Sequence, residues 1–78
     1  MRKSTYTKQY RVCLDWLIQA RKDAGLTQQQ VADKLGRPQS FVAKYEGGER
    51  RLDVVEFVEI AKALGANPKA FISDLQKL

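Results

Sequence analysis

Apolar side chains recur along this chain at intervals of three and four residues, which is the spacing that puts them on one face of an α-helix. In the first such segment, from about residue 8 to residue 24, the recurring positions are Tyr10, Leu14, Leu17 and Ile18. Gly25 follows as a natural left-handed terminator. No segment alternates apolar and polar residues as a half-buried strand would. The pattern predicts an arm over residues 1–7 and then a first helix.

Capping signals mark the start of a second helix. Thr27 is expected to cap it, Gln30 to return a hydrogen bond to the cap, and Leu26 to pack on Val31. Gly36 ends this helix after about two turns. The sequence therefore predicts a short helix followed by a tight turn.

A third helix is predicted directly after that turn. It is expected to begin at about Pro38, which sets the backbone for it, and to run to about Glu46, where two glycines follow. Val42 and Tyr45 are expected to point inward. The residues expected to point away from the core are Gln39, Ser40, Ala43 and Lys44.

Two more helices complete the predicted fold. Asp53 and Glu56 form a capping box at the start of the fourth, and Asn67-Pro68 opens the fifth. The inward positions expected on these two helices are Val54, Phe57, Val58, Ala61, Leu64, Phe71, Ile72 and Leu75. The predicted fold class is all-α, with five short helices around one core in a single domain over residues 8–78.

Composition narrows the range of functions. The 78 residues carry a net charge of +5, which favours polyanionic partners. There is no histidine, and Cys13 is the one cysteine, so an internal disulfide and a transition-metal site are both excluded. No nucleophile-base pair or phosphate-cradling glycine loop is present, so we expect neither an enzyme nor a cofactor. No apolar run approaches a membrane span, and we expect a cytoplasmic protein.

From about Tyr10 to Leu75 the chain resembles the Cro/C1-type (XRE-like) helix-turn-helix proteins of phage repressors and bacterial regulators. The positions that carry the resemblance are Ala20-Arg21, Gly25-Leu26-Thr27-Gln28, Val31-Ala32, Leu35-Gly36, Gln39-Ser40, Val42, Glu46, Gly48, Arg51-Leu52-Asp53 and Ile60-Ala61-Lys62-Ala63-Leu64-Gly65. The resemblance implies a lambda-repressor-like domain in which the second and third helices form the helix-turn-helix. It also implies a double-stranded DNA partner and a bacterial or phage origin, with the protein associated with the nucleoid.

The same resemblance implies roles for individual residues. Gln28 matches a glutamine that contacts a DNA phosphate, and Gln39, Ser40 and Lys44 match the positions that contact bases. A glutamine suits adenine and a lysine suits guanine. Gln39 and Lys44 lie five positions apart, so their directions on a helix differ by roughly 140°. We therefore rank Gln39 and Ser40 above Lys44 for base contact.

Residues around the third helix leave alternatives open. Arg37 and Pro38 replace the usual serine or threonine cap, and Arg37 is expected to reach either a phosphate or a base edge. Phe41 either touches a thymine methyl group or packs against the start of the fourth helix. The further basic residues expected to contact phosphates are Lys34, Arg50 and Arg51.

Arg21 and Glu46 lie on otherwise apolar faces, and the resemblance implies that they pair with each other. A buried charge without a partner would be costly, so we expect each to need the other. Trp16 is expected either to pack on the last helix or to contact a protein partner. Cys13 is expected to be a small buried apolar residue.

The function expected is that of a sequence-specific transcriptional regulator, a repressor, that binds two-fold symmetric DNA as a homodimer. The residues expected at the dimer interface are Phe71, Ile72, Leu75 and Leu78. The alternatives are an antitoxin that binds a toxin protein as well as DNA, and a controller of restriction–modification genes.

Overall fold

Five helices make up most of the structure, a computed structural model that describes residues 7–77. They are α1 (Lys8–Asp23), α2 (Gln28–Leu35), α3 (Gln39–Glu46), α4 (Val54–Ala63) and α5 (Pro68–Leu75). No strand occurs between residues 7 and 77, so the all-α prediction is confirmed. Residues 1–6 of the predicted arm, and Leu78 of the predicted dimer interface, lie outside the described residues.

The two predicted capping boxes are both present. Thr27 Oγ1 accepts a hydrogen bond from the Gln30 amide at 3.1 Å, and Gln30 Oε1 accepts one from the Thr27 amide at 2.9 Å. At the start of α4, Asp53 Oδ1 and the Glu56 amide are 2.7 Å apart, and the return bond from the Asp53 amide to Glu56 Oε1 is 3.0 Å. Each cap stabilises its helix by about 1 kcal/mol, and these local signals fix where α2 and α4 begin.

The turn between α2 and α3 depends on a left-handed glycine. Gly36 has φ +67°, a conformation that other residues adopt only with strain, and the Arg37 amide donates back to the Ala32 carbonyl at 3.0 Å. Pro38 has extended dihedrals and is the N-cap of α3, so the helix begins at Gln39, one residue later than predicted. As expected, no side chain caps α3.

The core lies between all five helices. Its largest fully buried side chains are Leu14, Leu17, Val31, Val42, Tyr45 and Ile60. Trp16 packs on Phe71 and Phe57, with ring centroids 5.1 and 5.8 Å apart. Of the two alternatives for Trp16, the structure therefore shows the packing on the last helix, α5.

Two residues that were predicted to face inward do not. Val54 is 68% exposed because it is the first residue of α4 and lies at the edge of the core. Ile72 is 44% exposed, since the neighbouring Phe71 takes the inward direction on α5 and the next residue is turned by about 100°. No helix between residues 7 and 77 is both long enough and apolar enough to cross a bilayer.

Candidate nucleic-acid interface

The outer face of α3 presents polar side chains to solvent. Val42 and Tyr45 are buried on its inner side, with 0% and 1% exposure, while Gln39, Ser40 and Lys44 are exposed. Three of the predicted base-contacting residues are thus open to solvent on α3, although Gln39 and Lys44 point in directions about 140° apart. Nothing in the described part of the chain covers that surface.

The structure brings Arg21 and Glu46 together. Arg21 Nε donates to Glu46 Oε2 at 2.8 Å and Nη2 donates to Oε1 at 3.1 Å, while Nη1 donates to the Leu26 carbonyl at 2.9 Å. The two side chains are only 15% and 6% exposed. The hydrogen bonds to Glu46 raise the pKa of Arg21 above its ordinary value. This ion pair joins the last turn of α1 to the last residue of α3 and so fixes where α3 lies.

Gln28 extends this pair toward the solvent-facing surface. Its Nε2 donates to Glu46 Oε1 at 3.0 Å, and its Oε1 accepts from Gln39 Nε2 at 2.7 Å. A continuous chain of hydrogen bonds therefore runs from Arg21 through Glu46 and Gln28 to Gln39. The contact between Gln28 and Gln39 was not predicted from the sequence, although each is the first residue of its helix in the helix-turn-helix.

Phe41 does not have the exposure that contact with a base would need. The residue is 8% exposed, and its ring packs edge-on against that of Tyr45, with centroids 5.4 Å apart. Of the two alternatives for Phe41, this burial favours packing within the protein over contact with a thymine methyl group, and the ring that it packs on is that of Tyr45 on α3. The reason is steric: the guanidinium groups of Arg37 and Arg50 lie over the ring, with Cζ atoms 4.4 and 4.9 Å from its centroid.

Arg50 already has a protein partner. Its Nη1 and Nη2 donate to the two carboxylate oxygens of Glu56 at 3.1 and 2.9 Å. Arg37 Nη2 lies 3.8 Å from the same carboxylate. The hydrogen bond from Arg50, the bond from the Asp53 amide and the charge of Arg37 together hold the pKa of Glu56 below its ordinary value. The role of Glu56 here was missed because its spacing from Asp53 indicated only a helix cap.

The remaining basic candidates differ in their surroundings. The Arg51 guanidinium lies over the Tyr10 ring at 4.8 Å, and Tyr10 Oη accepts a hydrogen bond from the Leu52 amide at 2.9 Å. Lys34 is exposed in the last turn of α2, where a positive charge interacts favourably with the helix dipole. Both Lys34 and Arg51 are exposed residues.

The chain is similar to known helix-turn-helix proteins. A helix-turn-helix family model matches residues 17–71, so the chain belongs to that family, in its Cro/C1-type (XRE) class. The solved structure of an XRE-family like protein from Pseudomonas syringae pv. tomato str. DC3000 is 49% identical over 88% of this chain and 84% of that one, with a TM-score of 0.85. No curated protein matches the chain. The chain is a DNA-binding transcriptional regulator with a lambda-repressor-like fold.

Proposed function

We propose that this regulator is a repressor that inserts α3 into the major groove of a two-fold symmetric operator and binds it as a homodimer. The observation that carries the proposal is the uncovered polar face of α3, held in place through Glu46 and bordered by basic residues. A face of this kind on the second helix of a helix-turn-helix suits base contact.

The hydrogen-bond capacity of Gln39 supports a contact with adenine. One N–H of its amide is used by Gln28, which leaves one N–H donor and the carbonyl acceptor. Adenine presents the complementary pair in the major groove, the N7 acceptor and the N6 donor. Ser40 lies beside Gln39 at the exposed start of α3 and supplies a hydroxyl that accepts or donates. Lys44 lies further along the helix and suits the acceptors of guanine.

Gln28 has a hydrogen-bond donor available for a DNA phosphate. Its Nε2 gives one N–H to Glu46 and keeps a second, and it lies at the N-terminus of α2, where amide groups and the helix dipole favour an anion. The additional phosphate contacts that we propose are those of Lys34, Arg37, Arg50 and Arg51. Such contacts make the affinity fall steeply with salt.

A homodimer is proposed because one recognition helix spans too few base pairs for useful specificity. The exposed side of α5 is our choice of interface, since Ile72 is 44% exposed and Leu75 is partly exposed beside it. An Ile72→Asp substitution is expected to shift sedimentation on operator DNA from two chains to one. An unaltered stoichiometry would move the interface elsewhere.

Selection of bound duplexes from a random DNA pool tests the proposal directly. The expected product is an inverted repeat with half-sites about one helical turn apart, and Gln39→Ala is expected to remove the preference at one position of each half-site. Expression of a reporter gene placed downstream of that repeat is expected to fall when the protein is present. If no motif is enriched and retention disappears with modest salt, the proposal is wrong and a protein partner becomes the target of the search.

A further inference from the structure

Two arginines from opposite flanks of α3 converge on one carboxylate. Arg37 precedes the helix and Arg50 follows it, yet the Nη2 atoms of both lie near the same oxygen of Glu56, at 3.8 and 2.9 Å. Both guanidinium groups also lie over the Phe41 ring. The four side chains therefore form one unit, which we call the Glu56 cluster: Arg37, Phe41, Arg50 and Glu56.

The carboxylate in this cluster is well anchored, while the two arginines remain accessible. The Glu56 side chain is 14% exposed and its Oε1 also accepts the capping bond from Asp53. The Arg37 and Arg50 side chains are 42% and 40% exposed. Arg50 uses three N–H groups, two on Glu56 and one on the Arg51 carbonyl, which leaves two of its five donors for another partner.

We propose that Arg37 and Arg50 together bind one DNA phosphate beside α3, and that Glu56 is the positioning residue that holds them for it. The assignment rests on the proposed function, because it requires α3 to face DNA. Two neighbouring guanidinium groups repel each other, and the carboxylate between them offsets that repulsion before DNA arrives. The ring and the carboxylate also restrict both long side chains, so less rotamer freedom is lost when the phosphate binds.

The direction in which one substitution changes DNA affinity distinguishes this proposal from an effect of net charge alone. Glu56→Gln removes a negative charge near DNA, and an effect of net charge alone would tighten binding. Loss of positioning acts in the opposite direction. Glutamine also preserves the capping box, so the start of α4 is retained. Glu59→Gln is the matched control, because it removes the same charge one turn along α4, where the carboxylate is exposed and forms no ion pair within residues 7–77.

The probe is a mixed-sequence duplex of about 30 base pairs at low salt, because phosphate contacts do not depend on sequence. We expect Glu56→Gln to bind it roughly three- to tenfold more weakly than the unaltered chain, while Glu59→Gln binds equally or more tightly. If Glu56→Gln binds as tightly as Glu59→Gln, the positioning role is overturned. If the unaltered chain itself does not bind, the proposed function fails as well.

A double-mutant cycle distinguishes positioning from a general effect on folding. In a chain carrying Arg37→Gln and Arg50→Gln, Glu56 has nothing left to hold, so adding Glu56→Gln is expected to cause no further loss of affinity. Melting curves of each variant establish that all are folded at the temperature of the titration. A loss of the same size in this background would assign the effect to α4 and overturn the proposal.

Discussion

The side chains of Gln28 and Gln39 are joined by a hydrogen bond of 2.7 Å across the turn of the helix-turn-helix. Gln28 is the first residue of α2, where we propose a phosphate contact, and Gln39 is the first residue of α3, where we propose a base contact. Because Gln28 is bonded in turn to Glu46, the amide plane of Gln39 is fixed from the protein side. The proposed phosphate contact and the proposed base contact are therefore coupled through one side chain.

Gln28→Ala is expected to relax base preference as well as to weaken binding. Without the hydrogen bond that Gln39 donates to Gln28, the amide of Gln39 rotates freely and its adenine contact loses part of the roughly 1–3 kcal/mol that a good bidentate pair contributes. Selection of bound duplexes from a random DNA pool measures this effect, since the variant is expected to show a weaker base preference at one position of each half-site. Gln29→Ala is the matched control, since Gln29 is exposed and its side chain, within residues 7–77, bonds only to Asp33 on its own helix. A variant at Gln28 with weaker binding but an unchanged motif would show that the two contacts are independent.

Arg21→Met is expected to destabilise the fold by about 3–5 kcal/mol, because it leaves the buried carboxylate of Glu46 without its ionic partner. Urea unfolding followed by circular dichroism measures the loss. Replacing both residues, Arg21→Met with Glu46→Leu, is expected to recover most of the stability, since no buried charge is then left without a counter-charge. An unchanged melting temperature for Arg21→Met alone would contradict the structural role of the pair.

Arg51→Gln is expected to reduce the salt dependence of DNA binding without altering the preferred sequence. A residue that contacts one phosphate contributes about one unit to the slope of log affinity against log salt. Titrations at several salt concentrations give that slope. Lys69→Gln on α5 removes the same charge at an exposed site remote in sequence from the helix-turn-helix and serves as the control. Equal slopes for the two variants would show that Arg51 does not contact a phosphate.

Most of the helix boundaries could be predicted because their signals are local. A cap and its partner at Thr27 and Gln30, or at Asp53 and Glu56, lie three residues apart and need no tertiary information. The resemblance to a known family supplied the pairing of Arg21 with a residue 25 positions away. Neither helical periodicity nor capping would have found it.

The surroundings of Phe41 could not be predicted in the same way. Whether its ring turns toward DNA or toward α4 depends on the approach of Arg37 and Arg50, and Arg50 is in turn hydrogen-bonded to Glu56 on another helix. The sequence pattern shows Glu56 as a capping residue and contains no signal for its second role. Contacts between elements that are distant along the chain decide such cases, and hydrophobic spacing carries no information on them.

Cys13 is expected to be slow to react and to make the fold sensitive to alkali. Burial raises the pKa of its thiol from 9.0 to about 11, so near neutral pH it holds about one hundredth of the thiolate of an ordinary cysteine. Alkylation at pH 8 is expected to be slow in the native chain and fast in urea. The folded state disfavours the thiolate. The contribution of the protonated thiol to the free energy of unfolding is therefore fully present below pH 9 and is lost as the pH rises toward 11.

Cys13→Ala separates this effect from that of the second acidic group whose pKa is raised by burial. The phenol of Tyr45 also has a pKa raised by burial, and it remains in the variant. The variant is therefore expected to lose stability less steeply than the unaltered chain between pH 9 and pH 11, while still losing some at the upper end. Urea unfolding at a series of pH values measures both curves. Parallel curves would mean that the thiol of Cys13 ionises as readily in the folded chain as in the unfolded one.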